Sequence, residues 1–214
     1  MATRIYRAAP GKLLESFIGR GLLCRNQVLE AAIAFQSISN EEIEARRARA
    51  RLPCGPGGTL HDYVPFHFGP RSPMMYRISR RNLPNYTQGQ RPLVYLVSSV
   101  ERIAEAGLPF VIADGHPLAT FTEFHDDLAR LDQVDLPLMV ERIWKDTAAD
   151  PDRERRRQAE FLVHGHVPWQ LIDEVGVMDN QLKQRVEEIF HQVNAEHRPK
   201  VVVRGAWYYR EQQG

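Results

Sequence analysis

Residues Asp150 to Trp169, DPDRERRRQAEFLVHGHVPW, constrain the fold of this chain more than any other stretch. A charged run ends at Glu160, and the apolar run Phe161-Leu162-Val163 follows directly, closed by His164-Gly165-His166 and Pro168. Such a switch, with a Gly/Pro exit, predicts a helix feeding a buried strand. It places a carboxylate at the mouth of a strand, where an acid is uncommon unless paired. Two readings are open from the residues alone. Glu160 is one more solvated acid among Arg153, Arg155, Arg156 and Arg157, or it is a functional carboxylate that those arginines keep ionised.

The chain is long enough, at 214 residues, to bury a substantial core as one domain. Cys24 and Cys54 form no C-x-x-C pattern, so neither a disulfide framework nor a cysteine zinc site is expected, and a reducing cytoplasm fits. No apolar run is long enough for a membrane span, and no secretory leader is read at the start.

Net charge is +1, but it is unevenly spread. Arg46 to Arg102 hold ten arginines, no lysine and two acids, against 18 basic and 25 acidic residues elsewhere. A neutral chain with one arginine-only segment reads as a polyanion binder, because planar guanidinium suits bidentate phosphate contact and stacking on bases.

In chain order, the spacing predicts a strand at Arg4–Arg7, helices at Leu13–Ile18 and Asn26–Ala34, and a helix over Ile43–Arg51 stopped by Pro53. On that third helix Arg47 shares a face with Ile43 and Ala50, so it points inward. A strand is predicted at Val64–Phe68, with Pro65 favouring a sheet edge. Residues 77–92 read as a basic loop, with Arg71, Arg77, Arg80, Arg81 and Arg91 for a nucleic-acid backbone and Tyr86 for a base. Strands at Leu93–Ser98 and Phe110–Ala113 bracket a helix at Val100–Ala106. Amphipathic helices are predicted at Phe121–Leu131 and Leu136–Lys145, then a strand at Leu171–Val177, a helix at Asp179–Asn194 and a strand at Val201–Val203. The irregular alternation indicates α+β with a mixed or antiparallel core and inserted helices, not a doubly wound sheet.

The common nucleotide-loop, hydrolase and zincin motifs are absent. His164-x-His166 with His61, His67 and Asp62 is a weak metal pattern, and no metal is expected. What remains is an inward Arg47, a strand-borne Glu160, His116 in a turn and a basic segment, which suit stabilising a cationic sugar beside a polyanion.

The blocks LHDYVPFHFGPRSPMMYR, QRPLVYLVSS, PFVIADGH, DPDRERRRQAEFLVH…VPW and the final WYY resemble the DarT family of DNA ADP-ribosyltransferases, toxins of bacterial toxin–antitoxin systems. The resemblance runs from about Ile5 to Tyr209. It implies an ADP-ribosyltransferase-like fold over 1–214, using NAD to modify thymidine, or in another branch guanosine, in single-stranded DNA. It also implies a macrodomain antitoxin as partner. Glu160 falls on the family's catalytic glutamate and Arg47 on its catalytic arginine. The implied cofactor set is Arg7, Ala8, Ala9, Leu23, Arg47, Met74 and His116, with residues 31–49 as an NAD-binding helical element and 116–160 as the substrate-recognition region. Family members typically open IYH-x-T where this chain has Ile5-Tyr6-Arg7-Ala8-Ala9. Two alternatives therefore stand beside the enzyme: a protein of this fold that binds single strands without transfer, or a transferase with another donor or acceptor.

Overall fold

The computed structural model describes residues 2–33, 35 and 38–210. The first half of the chain supplies β1 (Arg4–Pro10), α1 (Leu14–Arg20), β2 (Leu22–Leu23), α2 (Arg25–Glu30), α3 (Glu41–Arg47), β3 (Tyr63–His67), α4 (Pro73–Ser79) and β4 (Leu93–Ser99). There follow α5 (Val100–Glu105), β5 (Phe110–Ala113), β6 (Phe124–His125), α6 (Arg153–Arg156) and β7 (Glu160–His164). The chain closes with β8 (His166–Val167), β9 (Glu174–Val177), α7 (Asn180–Gln192) and β10 (Lys200–Val203). Eight strands form one mixed sheet in the order β10-β9-β4-β1-β3-β7-β5-β6, while β2 and β8 pair separately. Only β10 and β9 run parallel, so the α+β expectation describes the molecule. Among the described residues no helix is long and apolar enough to cross a membrane.

Both faces of the sheet are covered. On β4, Val94 and Leu96 enter one apolar cluster with Phe161, Val163, Trp169 and the buried side of α7. Leu93, Tyr95 and Val97 point the other way, into a cluster with Met75, Ile78, Tyr86 and Tyr208. This is the period-two alternation of a strand buried on both sides. Gly176 leaves room there for Trp207, whose ring a Cβ would meet at 2.4 Å.

The sheet is split at its centre. β1 pairs with β4 along all seven of its residues, but with β3 at one position only, Tyr6 opposite His67. Beyond that point Arg7 fills the gap, its Nη1 donating to the Pro65 carbonyl at 2.9 Å. In a strand the N–H and C=O of one residue point the same way, so the side of Pro65 that lacks a donor faces this gap. The prediction that Pro65 marks a sheet edge is therefore corrected: it sits in a central strand, where the split makes its missing N–H harmless.

Other expectations change for local reasons. The helix carrying Arg47 ends there and not at Arg51, because Arg51 bridges Thr59 and the Ala50 carbonyl accepts from the Leu60 N–H. It begins at Glu41, ahead of Ile43, with Asn40 Oδ1 accepting from the Glu42 and Ile43 N–H groups. The second helix stops at Glu30, and Ala34, Gln36 and Ser37 of the 31–49 element lie outside the described residues. Ser72 caps α4 through the Met75 N–H with Pro73 in the first turn, so Arg77 belongs to a helix and not to the basic loop. The two amphipathic helices predicted between Phe121 and Lys145 are absent. In their place stand β6 and two 3-10 segments, Leu128–Gln133 and Pro137–Val140. There the Asp127 and Asp135 carboxylates accept from the Ala129 and Leu138 N–H groups, competing with helix formation. The strand predicted from Leu171 begins at Glu174, after a 3-10 turn at Trp169–Leu171.

Candidate active site

β7 and α3 deliver the two central side chains from positions 113 residues apart. Arg47 Nη1 donates to Glu160 Oε1 and Nη2 to Oε2, both at 3.0 Å, a fork-to-fork pair. Both residues are buried, Arg47 at 8% and Glu160 at 5% exposure. Burial alone would raise the Glu160 carboxyl, but the Arg47 charge, the His67 ring and the Arg47 hydrogen bonds outweigh it and hold the pKa below the usual range. Burial pulls Arg47 down, and the charge and hydrogen bonds of Glu160 more than reverse this. The pair is thus an anion and a cation at neutral pH. A buried pair of this kind is a poor source of net stability, because desolvation offsets most of the attraction. Its presence points to chemistry.

Two histidines flank the carboxylate. His67 lies directly opposite Glu160 in the β3–β7 register, so both side chains leave the same face. His116 Nδ1 accepts from the Leu118 N–H at 3.1 Å, which assigns the proton of the neutral ring to Nε2. Burial lowers the pKa of both, against the pull of Glu160, so both rings are neutral at pH 7. The sequence placed His67 only in a weak metal pattern and not beside Glu160, because that position depends on strand register, which a single sequence does not display.

These groups open onto a cavity of about 870 Å³ at the split of the sheet. Arg7, Ala8, Ala9, Leu23, Arg47, Met74 and His116 all line it, together with Glu160. Arg7 carries a buried Nε without a partner and no carboxylate bonds it. Burial first, and the neighbouring Arg47 cation second, lower its pKa. Glu44 and Glu160 act against that lowering, and the guanidinium lines the cavity with donor capacity left for an anionic group.

The expected nucleic-acid set divides. Arg77 lines the cavity, whereas Arg71, Arg80, Arg81, Tyr86 and Arg91 do not. Tyr86 is 1% exposed and packs into the core beside Leu83, so its ring has no face to offer a base. The loop behind it is pinned by Gln90, which is fully buried and bonds the Tyr209 backbone in both directions. Arg91 pairs with Asp179 at 3.2 Å and Arg80 lies over the Tyr76 ring. The aromatic residues lining the cavity include Phe17, Phe35, Tyr63, Tyr76 and Trp144, with Lys145 also on its wall. Nothing in the sequence around Trp144 marks it, and only the fold brings it to the site.

The four arginines before Glu160 do not serve its ionisation. Arg155 bonds Asp114 and Asp152, Arg156 bonds Asp135 and Asp150, and Arg153 donates to the Ile143 carbonyl. They clamp the 116–152 segment onto the approach to β7, and the His116 N–H donates to the Arg155 carbonyl. Arg157 is 1% exposed and donates to the Pro70 carbonyl, tying β7 to the start of α4. The charged helix that was predicted shrinks to four residues, since these side chains bind across the fold and not along one helix face. His164 and His166 fall on different strands with Gly165 between them at φ 69°, and His166 bonds the Arg20 carbonyl. Among the described residues no group of three His, Cys, Asp or Glu could hold a metal.

A split mixed sheet with a guanidinium-paired glutamate on a central strand, at the floor of a large cleft, defines an ADP-ribosyltransferase-like fold. The chain belongs to the DarT family: the family model described as "ssDNA thymidine ADP-ribosyltransferase, DarT" matches residues 11–209. A DNA ADP-ribosyl transferase from Thermus sp. (strain 2.9) is 41% identical over 174 residues, 81% of each chain. The structure of Thermus sp. 2.9 DarT in complex with ADP-ribosylated ssDNA superposes with a TM-score of 0.90 at 38% identity, covering 97% of both chains. The same relative in complex with NAD+ gives 0.85 at 36% identity, covering 97% of this chain and 98% of that one.

Proposed function

We propose that this protein transfers ADP-ribose from NAD to thymidine in single-stranded DNA. The observation that carries the reading is the ionised Arg47–Glu160 fork, buried at the floor of the cavity in a chain of the DarT family. As the nicotinamide bond breaks, its electron pair leaves with neutral nicotinamide and positive charge develops on the ribose. Glu160, held as an anion, stabilises that charge, and each of its oxygens keeps a second lone pair for a ribose hydroxyl. The acceptor nitrogen of the base then attacks the sugar carbon, forming the N–C bond, and gives up its proton to solvent water. Arg47 is a poor general base, because its pKa is raised and guanidinium stays protonated. Its remaining N–H groups stabilise the base anion as that proton departs. Arg7 faces the diphosphate of NAD in this reading. A single strand presents its bases without the unpairing that a duplex requires.

The same reading extends to biology: a cytoplasmic toxin whose mark is removed by a macrodomain antitoxin. The decisive experiment incubates the protein with NAD and a thymidine-containing oligonucleotide and weighs the products. One added ADP-ribose on the DNA, absent with Glu160→Gln, supports the function; bound but unmodified oligonucleotide refutes it.

A further inference from the structure

We infer that Trp144 is a stacking platform for a nucleotide adjacent to the acceptor, so that a base at that neighbouring position is needed for tight binding of the strand. The inference rests on the reading of the cavity as a single-strand transferase site. Trp144 lines the same cavity as Glu160, with Tyr76, Arg77 and Lys145 beside it. The indole meets Tyr76 edge-on, with centroids at 5.8 Å and planes at 66°, and Tyr76 in turn meets Tyr209 at 5.3 Å and 73°. The Tyr209 hydroxyl in turn donates to the Arg71 carbonyl at 2.6 Å. The preceding residue is held too, since Arg153 Nε donates to the Ile143 carbonyl at 2.7 Å. A ring packed against Tyr76 and partly exposed in the cavity loses little rotamer freedom when a base stacks on it.

Arg77 and Lys145 are exposed cations lining the same cavity. Aromatic face plus cations is the chemistry of a single-strand channel, in which stacking is tolerant of base identity and charge follows the backbone. The stacked base lies next to the acceptor and not at it, because the ring contacts of Trp144 are with Tyr76, which packs against Tyr209, while the acceptor must reach the Arg47–Glu160 fork on another element. Tyr86, the aromatic residue of the basic loop, is sealed in the core.

The test measures transfer to an oligonucleotide with one thymidine, replacing each flanking nucleotide in turn by an abasic residue, for the wild type, Trp144→Ala and Trp144→Phe. One abasic position raises KM about 5- to 150-fold in the wild type, the range of a lost base–aromatic stack. Trp144→Ala raises KM on the intact strand by a similar factor and is indifferent to that abasic position, and Trp144→Phe recovers part of the loss. Oligonucleotide binding without NAD also quenches tryptophan emission, and most of that quench disappears in Trp144→Phe. If Trp144→Ala stays as sensitive to every abasic position as the wild type, or if no quench depends on Trp144, the stacking role is wrong although transfer stands. If the wild type leaves the thymidine strand unmodified, the transferase reading itself fails.

Discussion

Replacing Arg47 by Met is the sharpest test of the buried fork, because it leaves Glu160 without its counter-ion while keeping an unbranched stem. Removing one partner of a buried ion pair costs about 3–5 kcal/mol. Glu160 has an escape, which is to take up a proton, so the penalty is capped by the cost of protonation. From the ordinary value of 4.5, that cap is about 4.8 kcal/mol at pH 8 and about 1.4 kcal/mol at pH 5.5, at ~1.36 kcal/mol per pH unit. The signs differ between the two proteins. In the wild type the folded-state pKa of Glu160 is depressed, so its contribution is present above 4.5 and is lost only as pH falls through the folded value. In Arg47→Met burial raises that pKa, so stability is highest below about 4.5 and falls as pH rises through the new folded value. His67 and His116, both depressed, lose stability as pH falls below 6.5, and removing the Arg47 cation eases that loss, which acts in the same direction. Urea unfolding at pH 5.5 and 8 therefore shows a deficit of about 3–5 kcal/mol at pH 8, worth ~6–20 °C in Tm, that shrinks to roughly a third at pH 5.5. Adding Glu160→Gln restores most of the loss at pH 8. An equal deficit at both pH values, or no restoration in the double variant, refutes the assignment of a charged pair.

Glu160→Gln alone keeps the shape of the side chain but removes its charge, and slows transfer to the oligonucleotide about 100- to 1,000-fold by product mass. Arg47→Lys loses the bidentate fork and slows transfer at least about tenfold; near wild-type rate with an unshifted pH profile would contradict the role given to the guanidinium. Arg7→Ala weakens NAD binding by about tenfold or more in calorimetry, with a shallower salt dependence, if the guanidinium serves the diphosphate. Gly21→Ala unfolds at least about 1–3 kcal/mol more easily, because Gly21 sits at φ 72° and a Cβ would come within 2.6 Å of the Val167 carbonyl.

The local chemistry of the chain determined a good deal by itself. The apolar run after Glu160 is a central strand, Asn40 caps the helix that carries Arg47, and the heptapeptide Leu93–Ser99 is buried on both faces. The resemblance to the DarT family, legible in blocks of sequence, named the residues that the structure gathers around one cavity. Periodicity failed where backbone groups found partners outside their own element. The arginine helix ended early because Arg51 bridges Thr59, and the predicted helices after Phe121 gave way to aspartate-capped turns.

Only the tertiary structure decided which charges answer which. The four arginines nearest Glu160 in sequence bind aspartates and carbonyls on residues 114–152 and around Pro70, while the guanidinium that ionises it comes from 113 residues away. Tyr86 and Trp144 differ for the same reason: packing seals the first ring in the core and leaves the second lining the cavity. Charge and stacking act through space over a few ångströms, and sequence distance does not encode that separation until the sheet has set its order and register.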